Sequence, residues 1–441
     1  MARWRFGERV ASRRFGKRAA WRGLGKRAGA WWWVVVVGVV VAACAAPVVD
    51  PVRNGQGRIT FVDSQDLSNR QIKLRVDQWN AQAGRHQQVT YLPLPSPTDA
   101  YRAQLMARAQ DLVGARGDVQ AQCYDVMTLD VVWTAEFAES GYLAPLTPDE
   151  FGMDRYLSAA VASTVDERGR LWAVPWRADV GVLYYRSDVL SGKGLGWPTT
   201  WPELERMAER LGPEHGLAGY VGQLDRYEGL TVNALEAIWA HGGDADVRWD
   251  SPEVRAGIGT LVRGVEEGWI PPEALTYKES DSLKEFMEGR ALFLRNWPYA
   301  RVLLESSPLK GRFKMAALPG PGALGGWNVA VSRCSKHQAT ARKFIRFLTD
   351  EDSQRALLEQ AGYPPTLRAL YREPELNARL PHLGVLRTAV ENARNRPRSA
   401  HYDEVTRVVQ GAVHASLRNP GSLEAELRQL AADVTRAKSG R

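Results

Sequence analysis

Four segments of this 441-residue chain set a large ring beside groups able to hold hydroxyls. They are Asp130-Val131-Val132-Trp133, Gln223-Leu224-Asp225-Arg226-Tyr227-Glu228-Gly229, Asn296-Trp297-Pro298-Tyr299 and Gly325-Gly326-Trp327-Asn328. An indole presents a broad apolar face with one polar edge. A sugar ring has the matching character, with C–H faces bordered by hydroxyls. Carboxylates, amides and guanidinium groups at the rim would then discriminate, because a buried hydroxyl contact left unpartnered costs about 1–3 kcal/mol. Residues 44–441 carry 11 Trp, so any one ring can equally be core or hinge packing. A lone Asp after a strand can equally be a helix cap. Spacing alone does not choose a sugar over a peptide.

Bond-making chemistry has little support. There is no G-x-S-x-G elbow, no H-E-x-x-H pair and no Walker loop. The seven His are scattered without a close pair. Gly192-Lys193-Gly194-Leu195-Gly196 lacks a strand–loop–helix setting and reads as a turn. No CxxC pair and no cluster of zinc-ligand spacing occurs, so neither a metal nor another cofactor is expected. Asp and Glu are abundant enough that a glycosidase dyad, two carboxyl groups roughly 5–9 Å apart, stays open as an alternative.

The elements that must carry these loops follow from periodicity. Residues 58–62 read as a strand, 70–83 as a helix and 88–92 as a second strand. A helix capped at Thr98-Asp99 and a third strand, 124–129, follow. A helix over 132–140 then stops at Gly141. This alternation predicts an α/β domain with a largely parallel sheet, whose ligands gather beyond the strand ends, where Asp66 and Asp130 fall. Further along, 181–185, 293–294 and 313–319 read as strands. Residues 201–211, 231–240, 252–267, 283–288, 336–349, 353–360 and 422–438 read as helices. No repeat and no conspicuous linker divides the body, which suits two domains joined by several crossings.

The net charge of +8 first suggests nucleic acid or an acidic membrane. Its position argues otherwise. Residues 1–43 hold ten Lys or Arg and one acid, a net of +9, leaving −1 for residues 44–441. No nucleic-acid partner is expected. The basic stretch Arg3–Arg27 precedes an apolar run, Ala30–Ala43, in the order of an export signal. As a helix that run spans about 21 Å, short for a hydrocarbon core of about 30 Å. Extension through Val49 would leave a retained anchor as the alternative. Val41-Ala42-Ala43-Cys44 is similar to a bacterial lipobox, with Cys44 the lipidated residue. Ser12-Arg13-Arg14-Phe15 is similar to a twin-arginine signal. Residues 44–57, with two Pro and two Gly, read as a lipidated N-terminus and tether. Cys123 and Cys334 remain, and an oxidising exterior permits a disulfide that only geometry decides.

The chain resembles the extracellular solute-binding proteins of ABC importers, in the maltose/trehalose-binding branch, as disaccharide-binding lipoproteins of actinobacteria. The resemblance runs over residues 57–440. It is carried by Asp125–Trp133, Phe137–Leu146, Ala173-Val174-Pro175, Gly181–Arg186, Glu228–Asn233, Gly289-Arg290-Ala291, Asn296–Tyr299, Gly325–Asn328 and Arg396-Pro397-Arg398. It implies a two-lobed, periplasmic-binding-protein-like α/β fold with the ligand in an interlobe cleft. Lobe one would hold 58–180 and 294–345, and lobe two 181–293 and 346–441. It further implies a monomer without catalysis that takes a disaccharide, trehalose or maltose, and docks on permease subunits. By the same likeness Asp130 and Glu228 accept sugar hydroxyls, Trp297 and Trp327 stack on the ring, Gly326 lines the site and Arg398 donates. Asp66 lies in a loop that varies in this family. A secreted glycoside hydrolase, an adhesive surface protein, and a binder of another oligosaccharide, polyol or glycerophosphodiester are the other readings.

Overall fold

Alternation of strand and helix does build the first sheet of the chain. The computed structural model describes residues 55–64, 70–95, 97–114, 123–244 and 247–440. The expected signal peptide, Cys44, most of the tether and Asp66 lie outside the described residues. The chain runs β1 (Ile59–Ser64), α1 (Gln71–Gln82), β2 (Val89–Leu94), α2 (Thr98–Gly114) and β3 (Val126–Asp130). Next come α3 (Thr134–Glu139), α4 (Ser158–Ala162) and β4 (Ala173–Arg177). β1 pairs parallel with both β2 and β3, as short β–α–β connections require.

The chain then crosses to a second body: β5 (Val182–Arg186), α5 (Ser187–Gly192), α6 (Trp201–Glu214), β6 (Ala218–Val221), α7 (Glu228–Ala240), α8 (Pro252–Glu266), α9 (Glu279–Met287), β7 (Ala291–Asn296), α10 (Ala300–Leu304) and β8 (Phe313–Ala317). Local chemistry sets several of these ends. Thr200 caps α6 by accepting from the Glu203 amide at 3.3 Å, with Pro202 in the first turn. Ser251 caps α8 in the same way. α7 is apolar on nearly every side and is accordingly buried from Glu228 through Trp239.

β9 (Ala323–Leu324) crosses back to β10 (Trp327–Val331), α11 (Gln338–Leu348) and α12 (Glu351–Ala361). α13 (Pro374–Arg379), α14 (Leu383–Glu391), β11 (Arg394–Asn395), α15 (Tyr402–Arg418) and α16 (Leu423–Lys438) complete the chain. The two main sheets have strand orders β2-β1-β3-β10-β4 and β6-β7-β5-β8.

Two expectations need correction. The sheets are mixed rather than largely parallel: β10 is antiparallel to β3 and β4, and β5 to β7 and β8. The lobe division is also shifted. Residues 294–326, expected in lobe one, include the end of β7 and all of β8 in the second sheet. Residues 346–361, expected in lobe two, pack on α1 instead. Amphipathic periodicity shows which face a helix buries but not against which sheet.

Antiparallel pairing of β3 and β10 has a second consequence. It brings the start of β3 beside the end of β10, Val126 opposite Val331. Cys123 and Cys334 just beyond are joined in a disulfide, with Cα atoms 6.0 Å apart. The far end of the same pair, Asp130 opposite Trp327, faces the cleft. Between the lobes the crossings pair with one another. Val180 bridges Leu324, and β9 runs parallel with β11. Among the described residues no helix is long and apolar enough to cross a membrane.

Candidate functional site

β10 is the strand that assembles lobe one's contribution. Its first residue, Trp327, lies in register with Asp130 on one side and Arg177 on the other. The Trp327 ring stands edge-on to Tyr101 and Trp133, at 5.6 and 5.9 Å between centroids. Beneath it runs a buried polar chain. Tyr101 shares a 2.8 Å hydrogen bond with Thr128 Oγ1, Thr128 donates to Asp63 at 2.6 Å, and Arg177 pairs with Asp63 at 3.1 Å. Trp133, flagged with the Asp130 loop, is core packing rather than an open face.

The two glycines before Trp327 have separate steric roles. Gly326 has φ +103°, and a Cβ there would sit 2.0 Å from the Arg177 carbonyl oxygen. A Cβ on Gly325 would sit 2.9 Å from the Trp297 ring, so its absence lets that indole lie against the crossing strand. Trp297 also carries the Arg295 guanidinium, 4.1 Å from the ring centroid. Arg295 is held in turn by a two-point pair with Glu236, at 2.6 and 2.7 Å. Glu236 also accepts the Ala323 amide at 2.9 Å, tying α7 to the crossing strand.

Asp130, Glu228, Trp297, Gly326 and Trp327 all line one cavity of about 260 Å³ between the lobes, just below the roughly 300–1,000 Å³ usual for small-molecule sites. Asp179 and Arg396, not singled out in the sequence, line it as well. Arg398 does not. Its exposed side chain bonds the Val165 carbonyl, whereas Arg396, two residues earlier, is buried in the cleft. Nothing in Arg396-Pro397-Arg398 indicates which guanidinium turns inward. Asp66 lies outside the described residues.

Arg396 joins the lobes through the two carboxylates. It bonds Asp130 of β3 and donates to Glu228 of α7 at 2.5 Å. Burial alone would depress its guanidinium, but Asp130, Tyr402 and Glu228 hold it above its usual value. Glu228 also accepts from Tyr402 and Thr406 of α15, each at 2.7 Å. Its oxygens are therefore fully engaged, and it is poorly placed to serve as a proton donor. Tyr402, missed in the sequence, belongs to a legible stripe with Val405, Val409, Val413 and Leu417.

Asp179 lies in the first crossing, 8% exposed, and its Oδ1 has no hydrogen-bond partner. Burial, reinforced by Asp130 and opposed by Arg177, pushes its carboxyl up to about 6. A raised folded value means this group favours folding fully below its ordinary value of 3.8, and the benefit is lost as pH rises through about 6. Asp179→Asn should therefore raise the melting temperature of the unliganded protein at pH 7.5, by the equivalent of roughly 2–3 kcal/mol, with no gain at pH 4. Melting curves at the two pH values check this; an equal gain at both would show that the carboxylate is not strained by burial.

A protein-family model described as "Bacterial extracellular solute-binding protein" matches residues 71–355. The chain belongs to this family. The solute-binding protein is 31% identical over 411 residues to a "Probable ABC transporter-binding protein" of Deinococcus radiodurans, spanning 86% of this chain and 93% of that one. It is 26% identical over 292 residues to a "Mannitol-binding protein" of Pseudomonas aeruginosa, 58% of this chain and 64% of that one. Its fold superposes on a structure described as "Maltose bound T. maritima MalE3" with TM-score 0.78 and 34% identity, covering 86% and 99% of the two chains. The two-lobed α/β architecture of this solute-binding protein is thus that of the family, and these relatives are binders rather than enzymes.

Proposed function

We propose that this solute-binding protein captures a neutral polyhydroxyl ligand, a sugar or polyol, and delivers it to an ABC importer. The observation that carries the reading is the interlobe cavity with two indoles and three buried carboxylates. The Trp297 and Trp327 rings are suited to C–H faces. Asp130 and Asp179, whose Oδ1 has no partner, are suited to hydroxyls, while Glu228 is held by Arg396, Tyr402 and Thr406. Phosphorylated ligands fit poorly, because each cation lining the cavity faces a carboxylate: Arg177 Asp63, Arg396 Asp130 and Glu228, and Lys278 Asp225 at 3.6 Å.

The finer assignment is a disaccharide such as maltose or trehalose, in keeping with the maltose-bound relative. The small cavity and the mannitol-binding relative favour a second reading, a single sugar or hexitol. Cys44 after the apolar run supports attachment to the outer face of the membrane by lipid, which intact-mass measurement of the membrane fraction tests. The protein is taken to act as a monomer docking on permease subunits. A thermal-shift screen with maltose, trehalose, mannitol and glucose, followed by titration calorimetry, tests the ligand class. Stabilisation by at least one of them, without its conversion on long incubation, is expected. No shift with any would remove the sugar and polyol reading, and turnover would return the hydrolase.

A further inference from the structure

Away from the cavity, the lobes meet at a second charged contact. Arg102, on the face of α2 beside the cleft, pairs with Asp403 in the first turn of α15 at 3.0 Å. α2 packs in the cluster of lobe one through Tyr101 and Leu105; α15 packs on α7 and α8 of lobe two, and its first residue, Tyr402, reaches across to the lobe-one cluster. The Arg102 side chain is 14% exposed and that of Asp403 27%. Arg102 is also bonded by Glu136 of α3, in its own lobe. Asp403 is also paired by Arg407 of its own helix at 2.7 Å.

This arrangement has a directional consequence. If the lobes part, Glu136 keeps the Arg102 charge compensated and Arg407 keeps that of Asp403 compensated. Opening therefore leaves neither of these charges without a partner. Parting the lobes would break this contact, and at modest cost. A term that acts on one of two conformations shifts their populations, and the apparent affinity follows the closed fraction.

We propose that Arg102 and Asp403 form a rim latch that sets the open–closed balance of the cleft without touching the ligand. The latch rests on the reading of the protein as a closing solute binder, but not on which solute it takes. Its residues are positioning residues, and their effect is on closure and release.

The test uses Asp403→Asn, which leaves the Arg102–Glu136 pair intact, along with Arg102→Met and the double variant. Small-angle scattering of the unliganded proteins reports closure whatever the ligand, and stopped-flow dissociation of maltose reports release. Asp403→Asn should enlarge the radius of gyration, or speed maltose dissociation about three- to tenfold, or both. Arg102→Met should have a smaller effect in the Asp403→Asn background than in the parent, what is left reflecting its Glu136 pair, and the difference from the parent should shrink in 1 M salt. Unchanged scattering together with unchanged dissociation would overturn the latch. So would additive effects of the two substitutions, which would mean that they act separately. If maltose fails to bind at all, the ligand assignment falls, and scattering with the double variant still decides the latch.

Discussion

Arg396→Met is expected to weaken ligand binding by about 100- to 1,000-fold while changing the melting temperature of the unliganded protein little. Removing one partner of a buried charge pair typically costs about 3–5 kcal/mol, because the other charge is left without compensation. Here the guanidinium is shared by Asp130 on lobe one and Glu228 on lobe two, all three side chains being 10% exposed or less. Without it two carboxylates face each other in a closed cleft. The chain has a cheaper response than unfolding, which is to open and hydrate both. The cost therefore falls on the closed form, and binding loses what closure loses. Burial already pushes Glu228 upward and Arg396 is the chief group opposing this, so the variant's defect should be smaller at pH 5 than at pH 8. Titration calorimetry at both pH values, with scattering to follow opening, measures this. Parent-like affinity at pH 8 would show that the bridge does not hold the lobes together.

Trp327→Ala should weaken sugar binding by about 30-fold or more, the loss expected when a large aromatic anchor is removed from a binding site. Its ring is half-buried against Tyr101 and Trp133 and lines the cavity. Truncation therefore also leaves a gap in lobe one and lowers the melting temperature somewhat. The two effects separate if affinity is measured well below the variant's transition. Affinity equal to the parent's would remove Trp327 from the site, whatever the change in stability.

Legibility differed along the chain for a physical reason. The run β1-α1-β2-α2-β3 could be read directly, because each strand pairs with one close in sequence and each helix covers its neighbours. β10 could not be placed, since its partner β3 lies almost two hundred residues earlier and nothing in Trp327–Val331 names it. The helix of residues 402–418 has a regular apolar stripe that the sequence does carry, in Tyr402, Val405, Val409, Val413 and Leu417. The same limit governs the cavity. Asp130, Glu228, Trp297, Gly326 and Trp327 could be singled out because each sits in a loop of mixed aromatic and polar character or matches the family. Asp179 carried no such signal, being one acid between two strands.

Residue order by itself determined the composition of the site: which indoles, which carboxylates and which glycines were available, and that the net positive charge was confined to residues 1–43. The tertiary structure alone decided which of two neighbouring guanidinium groups enters the cleft. It also decided that Cys123 meets Cys334 and that β8 joins the second sheet. Those outcomes depend on antiparallel register and on contacts between distant segments. Side-chain chemistry and local periodicity are properties of short stretches, whereas register and burial are properties of the whole folded chain.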